Sequence, residues 1–155
     1  MKKVAALLVT LGVIAATATA VWYYRVGPGS QSPEPHMKEQ IVLRMGAVGI
    51  LADLADSPEL REVGLSGRDT LEEGSGMWFV FNTDDYWQFW MKDTLIPLDI
   101  IWVDAQGTIV TIAHNVQPES FPDTFKPTKP ARYVLEVPGG YAKKYQLTEG
   151  TKITW

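Results

Sequence analysis

Cysteine is absent from this chain of 155 residues. Its absence excludes disulfide bonds, thiolate catalysis, cysteine-based zinc or iron–sulfur sites and a lipidated N-terminal cysteine. Histidine occurs only at His36 and His114, which is too few for a metal site built on imidazole groups. We therefore predict that the protein carries no metal ion and no cofactor.

Basic residues are also scarce, since 14 of them stand against 18 acidic residues and leave a net charge of −4 at pH 7. A protein that binds nucleic acid needs a basic face to neutralise phosphates, so this balance argues against such a partner. Two catalytic or nucleotide-binding motifs are incomplete. Gly64-Leu65-Ser66-Gly67 lacks the last glycine of a nucleophile elbow, and Gly74-Ser75-Gly76 lacks the lysine of a phosphate loop. A non-enzymatic role is favoured, although catalysis is left open.

The N-terminus is uncharged over a length that matches a membrane. Residues 4–24 carry no charge and follow Lys2 and Lys3. About 20 apolar residues span the hydrocarbon core as a helix, so residues 1–25 predict a signal anchor or a signal peptide. An uncleaved helix would keep the lysines in the cytoplasm and tether the chain, whereas cleavage near Ala20 would release a secreted protein. Both alternatives place the remaining chain outside the cytoplasm, in the periplasm or the extracellular space.

Two further regions follow the leader. Residues 26–40 are rich in proline, glycine and serine, which predicts a flexible linker. Residues 41–155 are predicted to form one β-rich domain, a compact barrel or sandwich with one or two short helices. One helix should start after Ser57 and end at Gly64, and a helical turn is expected at 141–145. The predicted strands cover 41–54, 77–81, 86–91, 98–103, 108–114, 132–137 and 151–154, with the second and third paired as a hairpin.

The alternation of side chains along two predicted strands draws attention to polar residues among apolar ones. Asp99 shares a strand face with Ile101 and Val103, where a carboxylate needs a hydrogen bond or a charged partner. Trp90 shares its face with Lys92, which makes that face both aromatic and charged. Most of the surrounding aromatic residues are expected to fill the core.

The segment Phe89-Trp90-Met91-Lys92-Asp93-Thr94, followed by Pro97-Leu98-Asp99, resembles the family called domain of unknown function 192. Over about residues 48–155, further motifs of that family occur in order: Arg61, Gly64-Leu65 and Arg68, then Gly76-Met77-Trp78-Phe79, Val134-Leu135-Glu136, Gly140 and Glu149-Gly150. The resemblance implies a compact, mainly β domain, often behind a signal or anchor segment in bacteria and archaea, and it implies no activity. Asp93 replaces the usual asparagine, which would weaken anion binding by Lys92, and Ser66 replaces the usual methionine.

Five residues are candidates for a ligand-binding site: Trp90, Lys92, Asp99, Arg132 and Glu136. An indole ring offers a flat face on which a sugar can stack, and the charged groups could bind its polar substituents. Asp99 and Glu136 could instead act as the acid and base of a hydrolase. In a third interpretation, these two carboxylates form ion pairs with nearby lysine or arginine residues and only stabilise the fold.

The leading hypothesis is a monomeric, membrane-tethered domain outside the cytoplasm that binds a small polar ligand or a glycan. No residue is assigned a catalytic role in this hypothesis. The first alternative is an envelope hydrolase that uses Asp99 and Glu136. The second is a structural module that holds a partner protein with an exposed aromatic patch.

Overall fold

The computed structural model describes residues 39–155, which form one sheet of six strands with two short helices. The predicted leader and nearly all of the predicted linker lie outside the described residues. Within residues 39–155, no helix has the length and apolar character needed to cross a membrane. The elements in chain order are β1 Gln40–Met45, β2 Val48–Ala55, α1 Pro58–Val63, β3 Ser75–Asp85, β4 Leu98–Val103, β5 Ile109–Val116, a 3-10 turn at Pro118–Ser120, β6 Ala131–Pro138 and α2 Tyr141–Lys144.

The strand order across the sheet is β1-β2-β3-β6-β4-β5. All neighbouring strands are antiparallel except β2 and β3, which run parallel. Parallel neighbours need a crossover connection, and α1 lies in that connection. The prediction of a mainly β fold with short helices is confirmed. The closed barrel is wrong, because β1 and β5 are the edges of the sheet and do not pair with each other.

Both faces of the sheet are covered by apolar side chains. Successive residues of a strand point to opposite faces, and β4 is buried along its whole length. One face packs Leu43, Trp78, Ile101, Leu135 and Tyr141 into a first core. The other packs Phe79, Met91, Ile100, Trp102 and Val134 into a second core. Because both of their faces are buried, the central strands consist mostly of consecutive apolar residues.

Short-range sequence signals predicted α1 and the β4–β5 hairpin correctly. The Ser57 hydroxyl accepts a hydrogen bond from the Leu60 amide at 3.2 Å, Pro58 occupies the first helical position and Gly64 ends the helix. The hairpin of β1 and β2 turns at Gly46, whose φ of 62° suits glycine. The β4–β5 hairpin, β6 and the helical turn after Gly140 are also confirmed.

The predicted strand at 86–91 and its hairpin are wrong. β3 continues to Asp85 through the predicted turn, because it still pairs there with Ala131 of β6. The chain beyond it makes one isolated bridge, in which Phe89 exchanges backbone hydrogen bonds of 2.9 and 2.8 Å with Phe125. The predicted last strand likewise forms only isolated bridges, from Lys152 to Thr108 and from Thr154 to Arg44.

Asp99 has the hydrogen-bond partners that a carboxylate among apolar residues needs. Its side chain is fully buried, and one oxygen accepts hydrogen bonds from the amides of Asn115 at 2.6 Å and Gly140 at 3.0 Å. The other oxygen accepts from the amide of Ala142 at 2.6 Å. Asp99 therefore ties β4 to the end of β5 and to the start of α2.

We predict that Asp99→Ala lowers the free energy of unfolding by about 2 to 4 kcal/mol, because three backbone amides lose their acceptor. Urea denaturation followed by tryptophan fluorescence measures the change. Asp69→Ala is the matched control, since Asp69 is exposed and its loss should change the free energy by less than about 0.5 kcal/mol. Equal stabilities of the two variants would contradict this role.

Candidate functional site

A cavity of about 400 Å³ lies over the second core, between α1 and the segment that follows β3. Its walls come from α1 and the loop after it, from β3, from segment 87–94 and from β6. The lining residues are Pro58, Arg61, Glu62, Val63, Gly64, Leu65, Ser66, Phe79, Phe81, Trp87, Gln88, Phe89, Trp90, Lys92, Thr94 and Glu136.

The loop after α1 is attached to the segment that carries Lys92. The Ser66 hydroxyl donates to the Lys92 carbonyl at 3.3 Å, and the Gly67 amide donates to the Asp93 carbonyl at 2.8 Å. Asp93 has φ 55°, in the left-handed region where asparagine and aspartate are the common non-glycine residues. Both departures from the family pattern therefore fit locally: Asp93 keeps this backbone turn, and Ser66 contributes a hydrogen bond.

Aromatic rings form one wall of the cavity. Trp87 stacks on Phe81 with centroids 4.0 Å apart and planes 11° apart, and Phe89 meets Phe79 edge-on at 4.9 Å. The indole of buried Trp102 donates to the Trp87 carbonyl at 2.8 Å, and this hydrogen bond holds the start of segment 87–94. Trp90 is 47% exposed and stacks on no other ring of the described residues, so its face is free for a ligand.

Two cations border the cavity. The Arg61 guanidinium donates to the carbonyls of Asp56 at 2.7 Å and Val80 at 2.8 Å, and it lies 5.1 Å from the centroid of the Phe81 ring. These contacts hold its position, and its charge interacts with the exposed carboxylate of Glu59 without a direct ion pair. Lys92 is exposed at the cavity mouth. Within residues 39–155, neither cation forms an ion pair with a carboxylate.

Glu136 is the buried ionisable group of this cavity. Its register in β6 sets it opposite Met77 of β3 and Ile100 of β4, and its side chain faces the second core. It is only 5% exposed, and its carboxyl makes no hydrogen bond or ion pair with any residue of 39–155. Burial raises the pKa of Glu136 to about 8, because desolvation disfavours the charged form.

The absence of a partner makes Glu136 unusual, since buried polar groups are nearly always hydrogen-bonded. A strongly shifted carboxyl in a cleft is typical of functional sites. At neutral pH the carboxyl is mostly protonated, so it can donate a hydrogen bond to a ligand or ionise when a cation approaches. No group of three metal-ligating side chains is found in the described part of the chain.

The structure brings together three of the five residues predicted for the site. Trp90, Lys92 and Glu136 line the cavity. Asp99 does not, because it is opposite Val137 in the β4–β6 register and therefore points to the other face of the sheet. Arg132 lies outside the lining and donates to Asp84 at 2.6 Å.

The alternative of an acid and base pair is not supported by this geometry, because a whole sheet separates Asp99 from Glu136. The alternative of ion pairs is not supported within residues 39–155 either, where neither carboxylate pairs with a lysine or arginine. Among the described residues, Arg68 pairs with Asp53 and Arg132 with Asp84.

Sequence reasoning missed Arg61, Phe81 and Trp87 as residues of the site. Arg61 is on the most exposed element of the domain, and only its place in the family motif singled it out. Phe81 and Trp87 were assigned to the core because alternation cannot distinguish a ring in the core from a ring in a cavity wall. The stacking of these two rings depends on a chain turn that the sequence did not predict.

Comparison with known proteins agrees with the fold. Residues 41–155 match the model of the family DUF192, described as an uncharacterised family. A crystal structure from Sinorhizobium meliloti 1021, described as a proposed transcription regulator, is 31% identical, covers 75% of this chain and 92% of its own, and has a TM-score of 0.69. A protein of unknown function from Novosphingobium aromaticivorans DSM 12444 is also 31% identical, with 75% and 85% covered and a TM-score of 0.69. No curated protein matches significantly.

The chain belongs to the DUF192 family, because the family model spans the whole described domain apart from its first two residues. The resemblance drawn from the Phe-Trp-Met-Lys segment is thereby confirmed. The family is uncharacterised and provides no substrate or reaction, so function must be argued from the cavity.

We predict that the free energy of unfolding falls between pH 5 and pH 8 because of Glu136. The unfolded chain loses this proton near the ordinary pKa of 4.5, whereas the folded chain keeps it up to about 8. Unfolding therefore releases a proton in this window, and stability decreases by up to about 1.4 kcal/mol per pH unit. Urea denaturation of the native chain and of Glu136→Gln measures the difference, which should grow with pH in favour of the variant. Parallel pH profiles would contradict the raised pKa.

Proposed function

We propose that this domain binds a small polar ligand in the cavity lined by Trp90, Lys92 and Glu136. The observation that carries the proposal is the carboxyl of Glu136, which is buried and unpartnered at the wall of an aromatic cavity. No described residue hydrogen-bonds to this carboxyl, so a ligand in the cavity could provide its partner.

The dimensions and the lining of the cavity support this role. Small-molecule sites typically measure about 300 to 1,000 Å³ and are mostly apolar with a few converging polar groups. Here the volume is about 400 Å³, and rings alternate with Arg61, Lys92 and Glu136. A glycan is a candidate ligand, because the free face of Trp90 could stack on a sugar ring.

The proposal includes a location. The uncharged segment at residues 4–24 supports a tether in the membrane, or a leader cleaved near Ala20, with the domain outside the cytoplasm. The following linker would let the domain sample ligands near the membrane.

A second candidate function is a module that holds a partner protein. Exposed apolar side chains, at 43 to 59% exposure, include Leu60, Val63 and Leu95, and Val63 also borders the cavity. Hydrolysis has less support, because the proposed acid and base lie on opposite faces. Regulation through a bound ligand would be compatible with the description of the Sinorhizobium neighbour, although the acidic balance of this chain does not favour a direct role on DNA.

A thermal-shift screen against glycans, nucleotides and metabolites tests ligand binding, because a ligand of the native state raises the melting temperature. We predict that Trp90→Ala weakens the affinity for a hit about threefold to tenfold through loss of ring contact. Lys92→Ala should weaken the affinity for an anionic hit by a similar factor.

Tyr86→Ala and Lys129→Ala are the matched controls, since both residues are exposed and lie outside the cavity. The controls should bind as the native chain does. If neither Trp90→Ala nor Lys92→Ala changed the affinity for any hit, the ligand would bind elsewhere.

A further inference from the structure

Resting on the proposed function, we infer that the cavity selects zwitterionic small molecules. The ammonium group of the ligand would bind against Glu136, and its anionic group would bind between Lys92 and Arg61. A free ω-amino acid is the simplest compound of this class.

The deep part of the cavity suits a cation. Glu136 is only 5% exposed and has no hydrogen-bond or ion-pair partner among residues 39–155, and the rings of Phe79, Phe81 and Phe89 line the same cavity. The negative face of an aromatic ring attracts ammonium groups, and this attraction is stronger where water is excluded. An ammonium group would supply the counterion that the fold does not provide for Glu136.

The outer part of the cavity suits an anion. Arg61 is fixed by two backbone carbonyls and by the ring of Phe81, and it forms no direct ion pair with a carboxylate of residues 39–155. Lys92, in segment 87–94, adds a second positive charge to the lining of the cavity. A carboxylate ligand could accept charge-assisted hydrogen bonds from both side chains.

The two halves together disfavour ligands that carry a single charge. A pure cation would have to pass Arg61 and Lys92, and a pure anion would provide no ammonium group to pair with Glu136. Glu62 also borders the cavity, but it is exposed, so solvent and salt screen its charge. A zwitterion that enters with its ammonium group first matches both halves.

The test compares the affinities of ω-amino acids of increasing length with those of single-charge analogues. The probes are glycine, γ-aminobutyrate and 6-aminohexanoate, with butylammonium, butyrate and N-acetylglucosamine as references. The full chain is held in a non-ionic detergent, because a zwitterionic detergent would compete. Shifts of the Trp87 and Trp90 indole signals in NMR report binding. We expect one ω-amino acid to bind at least about tenfold more tightly than butylammonium or butyrate, since charged hydrogen bonds contribute at both ends.

Variants separate the two ends of the ligand. Glu136→Gln should weaken the best ω-amino acid by about 10- to 100-fold and abolish the binding of butylammonium. Lys92→Ala should weaken the ω-amino acid and butyrate but leave butylammonium unchanged or improved. Lys129→Ala should bind every probe as the native chain does. An unchanged or raised melting temperature of Glu136→Gln shows that the variant is folded.

The pH dependence gives a readout that a merely structural Glu136 would not produce. Pairing with an ammonium group requires the ionised carboxyl, so binding below pH 8 releases a proton and the affinity rises with pH by up to about tenfold per unit. The charged side chains that border the same cavity are Arg61 and Glu62 from α1 and Lys92 from the following segment. Glu136→Gln should show no such rise.

The outcomes distinguish failure of the zwitterion inference from failure of the proposed ligand binding. If N-acetylglucosamine binds in a Trp90-dependent way and no ω-amino acid exceeds its single-charge analogues, the cavity binds ligands but the zwitterion inference is overturned. If ω-amino acids bind with equal affinity to the native chain and Glu136→Gln, the inference is also overturned. If neither these probes nor the thermal-shift screen yields a ligand, the proposed function fails with it.

Discussion

The register between β4 and β6 is the constraint on which the rest of this domain depends. It sets Asp99 beside Val137 and Ile100 beside Glu136, so the two carboxylates of the central strands point to opposite faces. On one face, three backbone amides donate hydrogen bonds to Asp99, and the carboxylate thereby connects β4 to the end of β5 and to the start of α2. On the other face, Glu136 finds no partner in the described chain and borders a cavity. A slip of β6 by one residue would turn Glu136 to the face that holds Asp99, which is why alternation in a buried sheet specifies register strongly.

The contrast between Asp99 and Glu136 separates architecture from function. Buried charges and polar groups are tolerated when they are fully hydrogen-bonded, and Asp99 meets that condition. Glu136 does not, and its pKa of about 8 shows that the fold disfavours its ionised form. An alanine or leucine would fill this position without that cost. This contrast supports the proposed role of Glu136 in binding a ligand.

Local signals in the sequence were sufficient for the elements whose geometry is local. Ser57, Pro58 and Gly64 defined α1, and the apolar run at 132–137 gave β6. The segment at 86–91 was assigned incorrectly because its alternation resembles a strand, whereas its partner is a single residue, Phe125, far along the chain. Long-range pairing of this kind leaves no periodic trace in the sequence. Trp90, Lys92 and Glu136, three of the predicted site residues, nonetheless line one cavity, and the family motif had singled out the segments that carry them.

The irregular path of segment 86–94 has a consequence for the chemistry of the site. A regular strand at 86–91 would have paired beside β3 in the sheet. The observed path instead stacks Trp87 on Phe81, leaves the face of Trp90 open and carries Lys92 to the cavity mouth. Hydrogen bonds from Ser66 and Gly67 hold this path against the loop after α1. Arg61 and Lys92 on one side of the cavity and Glu136 on the other are therefore positioned by different elements. Substitutions on either side could change the ligand preference of the cavity without disturbing the sheet between the two cores.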